Sequence, residues 1–277
     1  MNFCPADPLH VALYFNDIVT AQEKVGTIES AFLGIRWGHF ACGLPSPTEN
    51  KFVKLALEGA KRMLAGNTKR NQKEPVSIVI LKSIVDKFAF SENLIELRFV
   101  IMCLLGFSGF MRISELLNLK LKDITFVADG AKIFIEKSKV DQLREGNTVF
   151  ISSTGTRYCP IGWLSNYIRI AKFKDIGNDF LFCRLAKCKN GHSTIGRFSI
   201  SYTTALDNIR KFLPNDVNPR LIGTHSFRSG GASQAANSGV TDRMISKHGR
   251  WSDGKSRDRY IKDSHEKRFQ VSKILGL

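Results

Sequence analysis

The chain has 277 residues, 43% of them hydrophobic, with a formal net charge of +16 and a pI near 9.7. That length suits one large domain or two smaller ones, and that apolar share is ordinary for a globular protein. The basic balance points to a polyanionic partner, nucleic acid first; it selects a partner class and not a chemistry.

Six scattered cysteines show no framework spacing and read as free thiols of a reducing compartment. Residues 1–10 have neither a basic end nor an apolar core, so no secretory signal is expected. The most apolar stretch, residues 99–111, is too short to span a bilayer and reads as a buried helix, so no membrane partner is expected.

Residues 1–66 read as all helical. Residues 13–25 form one amphipathic candidate. Residues 27–39 form another, with Thr27 as N-cap and Ile28, Phe32, Ile35 and Trp37 as its apolar set. A third runs from Thr48 through Val53, Leu57, Ala60 and Leu64. The polar, basic stretch that ends at Pro75 reads as a linker, 67–75, whose Lys69, Arg70 and Lys73 are candidate phosphate contacts.

After the linker, residues 77–88 show helical spacing, and 92–107 form a strongly apolar helix. Arg112 follows Gly109, and 114–119 is a short helix. Strands are expected at 124–127, 132–136 and 148–152, with Asp129-Gly130 as the first turn, making a small antiparallel sheet. Helices follow at 160–172 and 199–212, the second with Tyr202, Leu206 and Ile209 as core. Cys183, Cys188 and His192 match no strong zinc template and lack an evident fourth ligand, so no metal is expected.

The stretch HSFRSGGASQAANSGVTDRMISKHGRWSDGKSRDRY, residues 225–260, carries most of the chemistry. If Thr224 caps a helix that ends at Gly239, His225 and Arg228 share the face of its first turn, beside free backbone N–H groups that suit an anion. A short helix from 241 to 247, stopped by Gly249, leads to Trp251, which lies nine residues before Tyr260. A charged amphipathic helix spans 264–274. Alone, each of these residues is commonplace; their value lies in combination.

Taken together, GFMRISELL (109–117), EKSKVDQLREG (136–146), HSFRSGGAS (225–233) and GRWSDGKSRDRYI (249–261) resemble the four signature boxes of the tyrosine recombinases, the phage integrase family, in order and rough spacing. The wording is similar to the branch found in eukaryotic mobile elements and some phage integrases. The resemblance implies a mainly α protein. An all-α N-terminal core-binding domain (1–66), apparently without its first helix, would precede an α+β catalytic domain (76–277) of the DNA breaking-rejoining type.

It also implies roles. Tyr260 would attack a DNA phosphodiester and store its energy in a 3′-phosphotyrosine, so that neither ATP nor another cofactor is needed. Arg112 and Arg228 would stabilise charge growing on the phosphate oxygens. Lys139 would protonate the leaving 5′ oxygen; Lys137, two residues away on the same strand face, is its rival. His225 would accept the phenol proton or bond the phosphate. Trp251 can donate from its indole N–H but cannot act as a base. Glu115, three after Arg112, would orient a catalytic side chain. Arg243, Lys247 and Arg250 are further candidate contacts to double-stranded DNA, and His248 a phosphate or structural contact. No carboxylate triad for two Mg²⁺ ions is visible. A homo-oligomer on DNA, a tetramer, is implied. So is a place in the nucleus for a eukaryotic mobile element, or otherwise in the cytoplasm with access to the chromosome.

Two alternatives stay open. A non-enzymatic helix-turn-helix DNA-binding protein would explain the charge but not why Arg112 and Lys139 lie where they do, and a catalytically silent derivative would keep the fold and lose a catalytic group, whereas all seven positions are filled here. A type IB topoisomerase-like nicking and closing enzyme would share the chemistry and act as a monomer.

Overall fold

The computed structural model describes residues 4–66, 73–136, 146–188 and 191–275. The chain divides into two compact units, Met1–Asn71 and Gln72–Leu277.

The first unit holds α1 (Pro8–Thr20), α2 (Val25–Ala41) and α3 (Lys51–Ala65). The Asp7-Pro8 pair starts α1 earlier than the apolar periodicity suggests. The Asp7 carboxylate accepts Leu9 N–H at 2.7 Å, and Pro8 takes the first helical position. Val11, Phe15, Ile18, Ile28, Val53 and Leu64 close its core.

Two expectations for α2 are corrected. Lys24, not Thr27, is its N-cap, and Trp37 is 71% exposed. Nine residues past Ile28, Trp37 points half a turn away from the core face. His39 falls on that face instead. It is buried, with Nδ1 against the Ile35 carbonyl (2.8 Å) and Nε2 accepting Ala6 N–H (2.9 Å).

The second unit is built on α5 (Leu94–Ser108), which is buried on nearly every side from Leu94 to Phe107. A helix without a polar face must be surrounded. Around it pack α4 (Ile78–Lys87), α7 (Pro160–Ala171), α8 (Tyr202–Phe212) and α9 (Ser226–Asn237). Its C-terminal end leads to α6 (Ile113–Asn118). Strands β1 (Ile124–Val127), β2 (Gly130–Ile135) and β3 (Asn147–Ser152) form an antiparallel sheet in the order β1-β2-β3, with Ile133 facing both Ile124 and Val149. Ala131, Ile133 and Ile135 point inward at the strand period of two.

A second hairpin pairs β4 (Cys183–Cys188) with β5 (Gly191–Ser199) and was not anticipated. Much of it is solvent-exposed, so it lacks the apolar alternation that reveals a strand. Tyr202 is half exposed rather than core, because α8 begins there, behind its cap Ser201, and turns Ala205 and Ile209 inward. The chain then runs through α10 (Asp242–Gly249), α11 (Gly254–Asp258) and α12 (His265–Lys273).

Helix α9 approaches the backbone of this unit closely. A Cβ on Gly231 would lie 2.0 Å from the Phe107 carbonyl oxygen, and one on Gly230 would lie 2.1 Å from that of Val76. Only the absence of a side chain lets these backbones meet. Gly231→Ala should therefore destabilise the chain by about 1–3 kcal/mol through overpacking. Gly59→Ala on α3, with nothing within 4 Å of the added carbon, should stabilise it by about 0.5–1 kcal/mol. Urea unfolding followed by circular dichroism checks both.

Candidate active site

Arg112 is delivered by a sharp exit from α5. Gly109 ends that helix, Phe110 adopts a left-handed φ of +44°, and Arg112 becomes the N-cap of α6. Glu115 folds back on it: Oε2 accepts Arg112 N–H at 2.8 Å and Oε1 accepts Arg112 Nη1 at 2.7 Å. The Glu115 side chain is fully buried. Burial pushes its carboxyl up, but the Arg250 charge and the bonds and charge of Arg112 outweigh that and hold it below the ordinary carboxylate range.

Arg250 is the third member of this network, and its expected place at a DNA surface is corrected. Its side chain is 4% exposed, with Nη2 2.7 Å from Glu115 Oε2. Nη2 also donates to the Phe110 carbonyl (3.1 Å), and Nη1 donates to those of His248 (3.0 Å) and Gly109 (3.3 Å). The cause is a left-handed φ of +57° at Arg250, the C-cap of α10, which swings the side chain inward. Gly249 does not stop α10 but lies within it. Its lack of a side chain makes room for Trp251, whose ring would sit 1.9 Å from a Cβ there.

At the start of α9, His225 rather than Thr224 takes the N-cap position. The Ser226 hydroxyl accepts Gly223 N–H at 3.0 Å and sets the turn, while Thr224 is buried ahead of it. Arg228 is fully buried. Its Nη1 donates to the Phe110 carbonyl and its Nη2 to that of Gly249 at 2.6 Å. Burial, then the charges of Arg112 and Arg250, pulls this guanidinium down to about 9, so it stays charged at neutral pH. Its Cζ lies 4.4 Å from the Trp251 ring centroid and 5.1 Å from that of Tyr260. The Tyr260 ring is 5.3 Å from Trp251 and 6.1 Å from His225.

The fold thus brings Arg112, Glu115, His225, Arg228, Trp251 and Tyr260 into one cluster, half-buried at Tyr260 and exposed at His225. Three buried donors in it and beside it, Arg228 Nε, Arg250 Nε and Trp251 Nε1, have no hydrogen-bond partner among the described residues. Unpaired donors beside three guanidiniums and one carboxylate suit an anion with several acceptor oxygens. His248 is structural: Nε2 meets the Ser108 carbonyl at 2.8 Å, and burial lowers its basicity.

Other expected contacts lie elsewhere. Arg243 and Lys247 are exposed on α10, and Lys73 Nζ donates to the Arg220 carbonyl. Lys69, Arg70, Lys137 and Lys139 fall outside the described residues. Cys183 is buried and Cys188 exposed at opposite ends of β4, and among the described residues no three His, Cys, Asp or Glu gather. No described helix is long and apolar enough to cross a membrane. Sequence reasoning missed the inward role of Arg250, because nothing local announces a left-handed backbone at an arginine.

Residues 81–267, well over half of the chain, match the model of the phage integrase family. An integrase/recombinase xerD homolog from Selenomonas ruminantium is 26% identical over 266 residues, covering 94% of this chain and 75% of that protein. The recombinase Cre of Escherichia phage P1 is 23% identical over 264 residues, covering 89% and 73%. In fold, the chain is similar to the Tn1549 transposon integrase solved with transposon right-end DNA, at a TM-score of 0.61 and 12% identity, covering 96% of this chain and 84% of that one. The matched family model spans α5, α9 and the Tyr260 segment alike, and the chain belongs to the phage integrase family, the tyrosine recombinases.

Proposed function

We propose that this chain is a site-specific DNA recombinase or integrase of a mobile element, which cuts and rejoins DNA through a 3′-phosphotyrosine at Tyr260. The observation that carries the reading is the convergence of Arg228, His225 and Trp251 on the Tyr260 ring, with the Arg112 charge acting on Arg228 and buried donors beside it that no described residue satisfies. Its likeness to the Tn1549 transposon integrase supports the mobile-element origin.

The Tyr260 phenol oxygen attacks the scissile phosphorus, the bond to the 5′ oxygen breaks, and Lys139 protonates the leaving oxygen. His225 takes the phenol proton or bonds the phosphate. Arg112 and Arg228 offer charged donors to the non-bridging oxygens, and Trp251 adds an indole N–H, where charge grows in the transition state. A cation–π contact is worth about 0.5–2 kcal/mol. Charge-assisted bonds to a phosphate are stronger, so an arriving phosphodiester displaces the Tyr260 ring from Arg228 and frees the phenol to align.

Glu115 orients Arg112, with Arg250 holding the other side of the carboxylate. Residues 1–66 serve as the core-binding domain, 67–75 as the linker and 76–277 as the catalytic domain. Lys69, Arg70, Lys73, Arg243 and Lys247 touch phosphates of double-stranded DNA, and the net charge of +16 drives that contact. Several copies, a tetramer, assemble on paired sites. The chain works where its DNA lies, in the nucleus of a eukaryotic host or with the chromosome in a bacterial one.

A nicked duplex should trap a covalent adduct with the parent protein that is lost in Tyr260→Phe, read as a shifted band on a denaturing gel. An unchanged adduct in the variant would reassign the nucleophile. Arg112→Ala and Arg228→Ala should each slow cleavage by about 10²-fold or more, with a much smaller loss of DNA affinity. Equal losses of both would mean that the guanidiniums merely hold DNA.

Glu115→Gln should destabilise the chain by about 3–5 kcal/mol, because buried guanidiniums lose their counter-charge. The sign of its pH dependence follows. The folded carboxyl lies below its unfolded value of 4.5, so its stabilisation is present above 4.5 and is lost as pH falls through the lowered value. Urea unfolding across that window should show a flatter acid limb in Glu115→Gln.

A further inference from the structure

Helix α9 has a second face, opposite in character to its glycines. Ser229, Ser233 and Asn237 are spaced four apart and form one stripe. Each binds the backbone of the segment that carries Tyr260. The Ser229 hydroxyl donates to the Tyr260 carbonyl at 2.5 Å, and the Ser233 hydroxyl also reaches it, at 3.2 Å. Ser233 Oγ accepts Lys262 N–H at 2.8 Å. Asn237 Nδ2 donates to the Lys262 carbonyl at 3.1 Å, and its Oδ1 accepts Ser264 N–H at 3.0 Å.

The bonds fall on Tyr260, Lys262 and Ser264, alternate residues of a stretch that is neither helix nor paired strand after Tyr260. The two spacings match. Four helical residues rise about 6.0 Å, and two extended residues span about 6.6 Å. An extended chain therefore runs in step with the stripe. The other backbone bonds of Tyr260 and Ile261, to Arg257 and Asp258, are local to α11 and do not tie the segment to the body of the unit.

We propose that Ser229, Ser233 and Asn237 are positioning residues that hold the Tyr260 segment in register with Arg228, so that one helix carries both a phosphate-binding group and, through its stripe, the attacking phenol. Ser229 is the residue next to Arg228, which sets the Tyr260 carbonyl one helical position from that guanidinium. The inference rests on Tyr260 being the nucleophile.

The test separates aiming the phenol from building the phosphate site. The substrate is a pool of nicked duplexes of random sequence, of which those captured by the parent protein are kept. On these, Ser229→Ala with Ser233→Ala should form adduct about 10²-fold more slowly than the parent at nearly unchanged DNA affinity, the scale of loss for a nucleophile misplaced by an ångström. Ser229→Thr with Ser233→Thr, which keeps both hydroxyls, should recover much of the rate.

In a Tyr260→Phe background, hydrogen peroxide serves as an external nucleophile. Its oxygen bonds to phosphorus, the 5′ oxygen leaves and gains a proton, and no residue of the 260–264 segment needs to be aimed. Adding the two Ser→Ala changes should leave that scission unaltered. An adduct rate equal to the parent's would overturn the proposal. So would a parallel fall in the peroxide reaction, since the stripe would then support the phosphate site itself. If the parent forms no adduct with any duplex, the nucleophile assignment fails first and the inference falls with it.

Discussion

Three guanidiniums, those of Arg112, Arg228 and Arg250, meet one carboxylate, that of Glu115, inside a largely water-free pocket. Like charges repel more strongly there than in water, and burial penalises each of them. Glu115 is spent on Arg112 and Arg250, so Arg228 is left with carbonyl oxygens and two aromatic rings as partners. The cluster therefore carries a surplus of positive charge that no described residue cancels. An anion with several acceptor oxygens relieves it, and a phosphodiester is such an anion. The same surplus that costs stability is what the proposed reaction uses.

That arrangement hangs on two sharp backbone events rather than on the helices themselves. Phe110 takes a positive φ after α5, which aims its carbonyl at Arg228 and sets Arg112 as a cap. Arg250 takes a positive φ after α10, which turns its guanidinium onto Glu115. Neither residue is glycine, so each conformation has a cost that its surroundings offset. The hydrogen bonds from Arg228 and Arg250 to the same Phe110 carbonyl tie the two turns together. Helix α9 then links them to the Tyr260 segment, glycines on one side and the serine–asparagine stripe on the other.

Much of the fold was legible because it is written in local periodicity. The buried α5, the β1-β2-β3 sheet, the helix capped by Ser77 and the one that begins at Pro160 all follow from spacing and caps. The β4-β5 hairpin was not, because most of its surface meets solvent and no apolar alternation marks it. Trp37 misled because a large apolar side chain was counted as core without regard to its angle round the helix.

For the candidate site, the sequence by itself determined the residue types and their short-range spacing: an arginine with a glutamate three on, a histidine with an arginine three on, a tryptophan nine before a tyrosine. Those patterns are local, so chain order preserves them. Only the tertiary structure decided which groups face inward together. Arg250 looked like any surface arginine near a basic patch, and one left-handed backbone angle made it a buried partner of Glu115. The stripe on α9 looked like ordinary polar filler, and it became the mooring of residues 260–264. Such partnerships join residues far apart along the chain. Their energy comes from packing and desolvation, which local spacing does not encode.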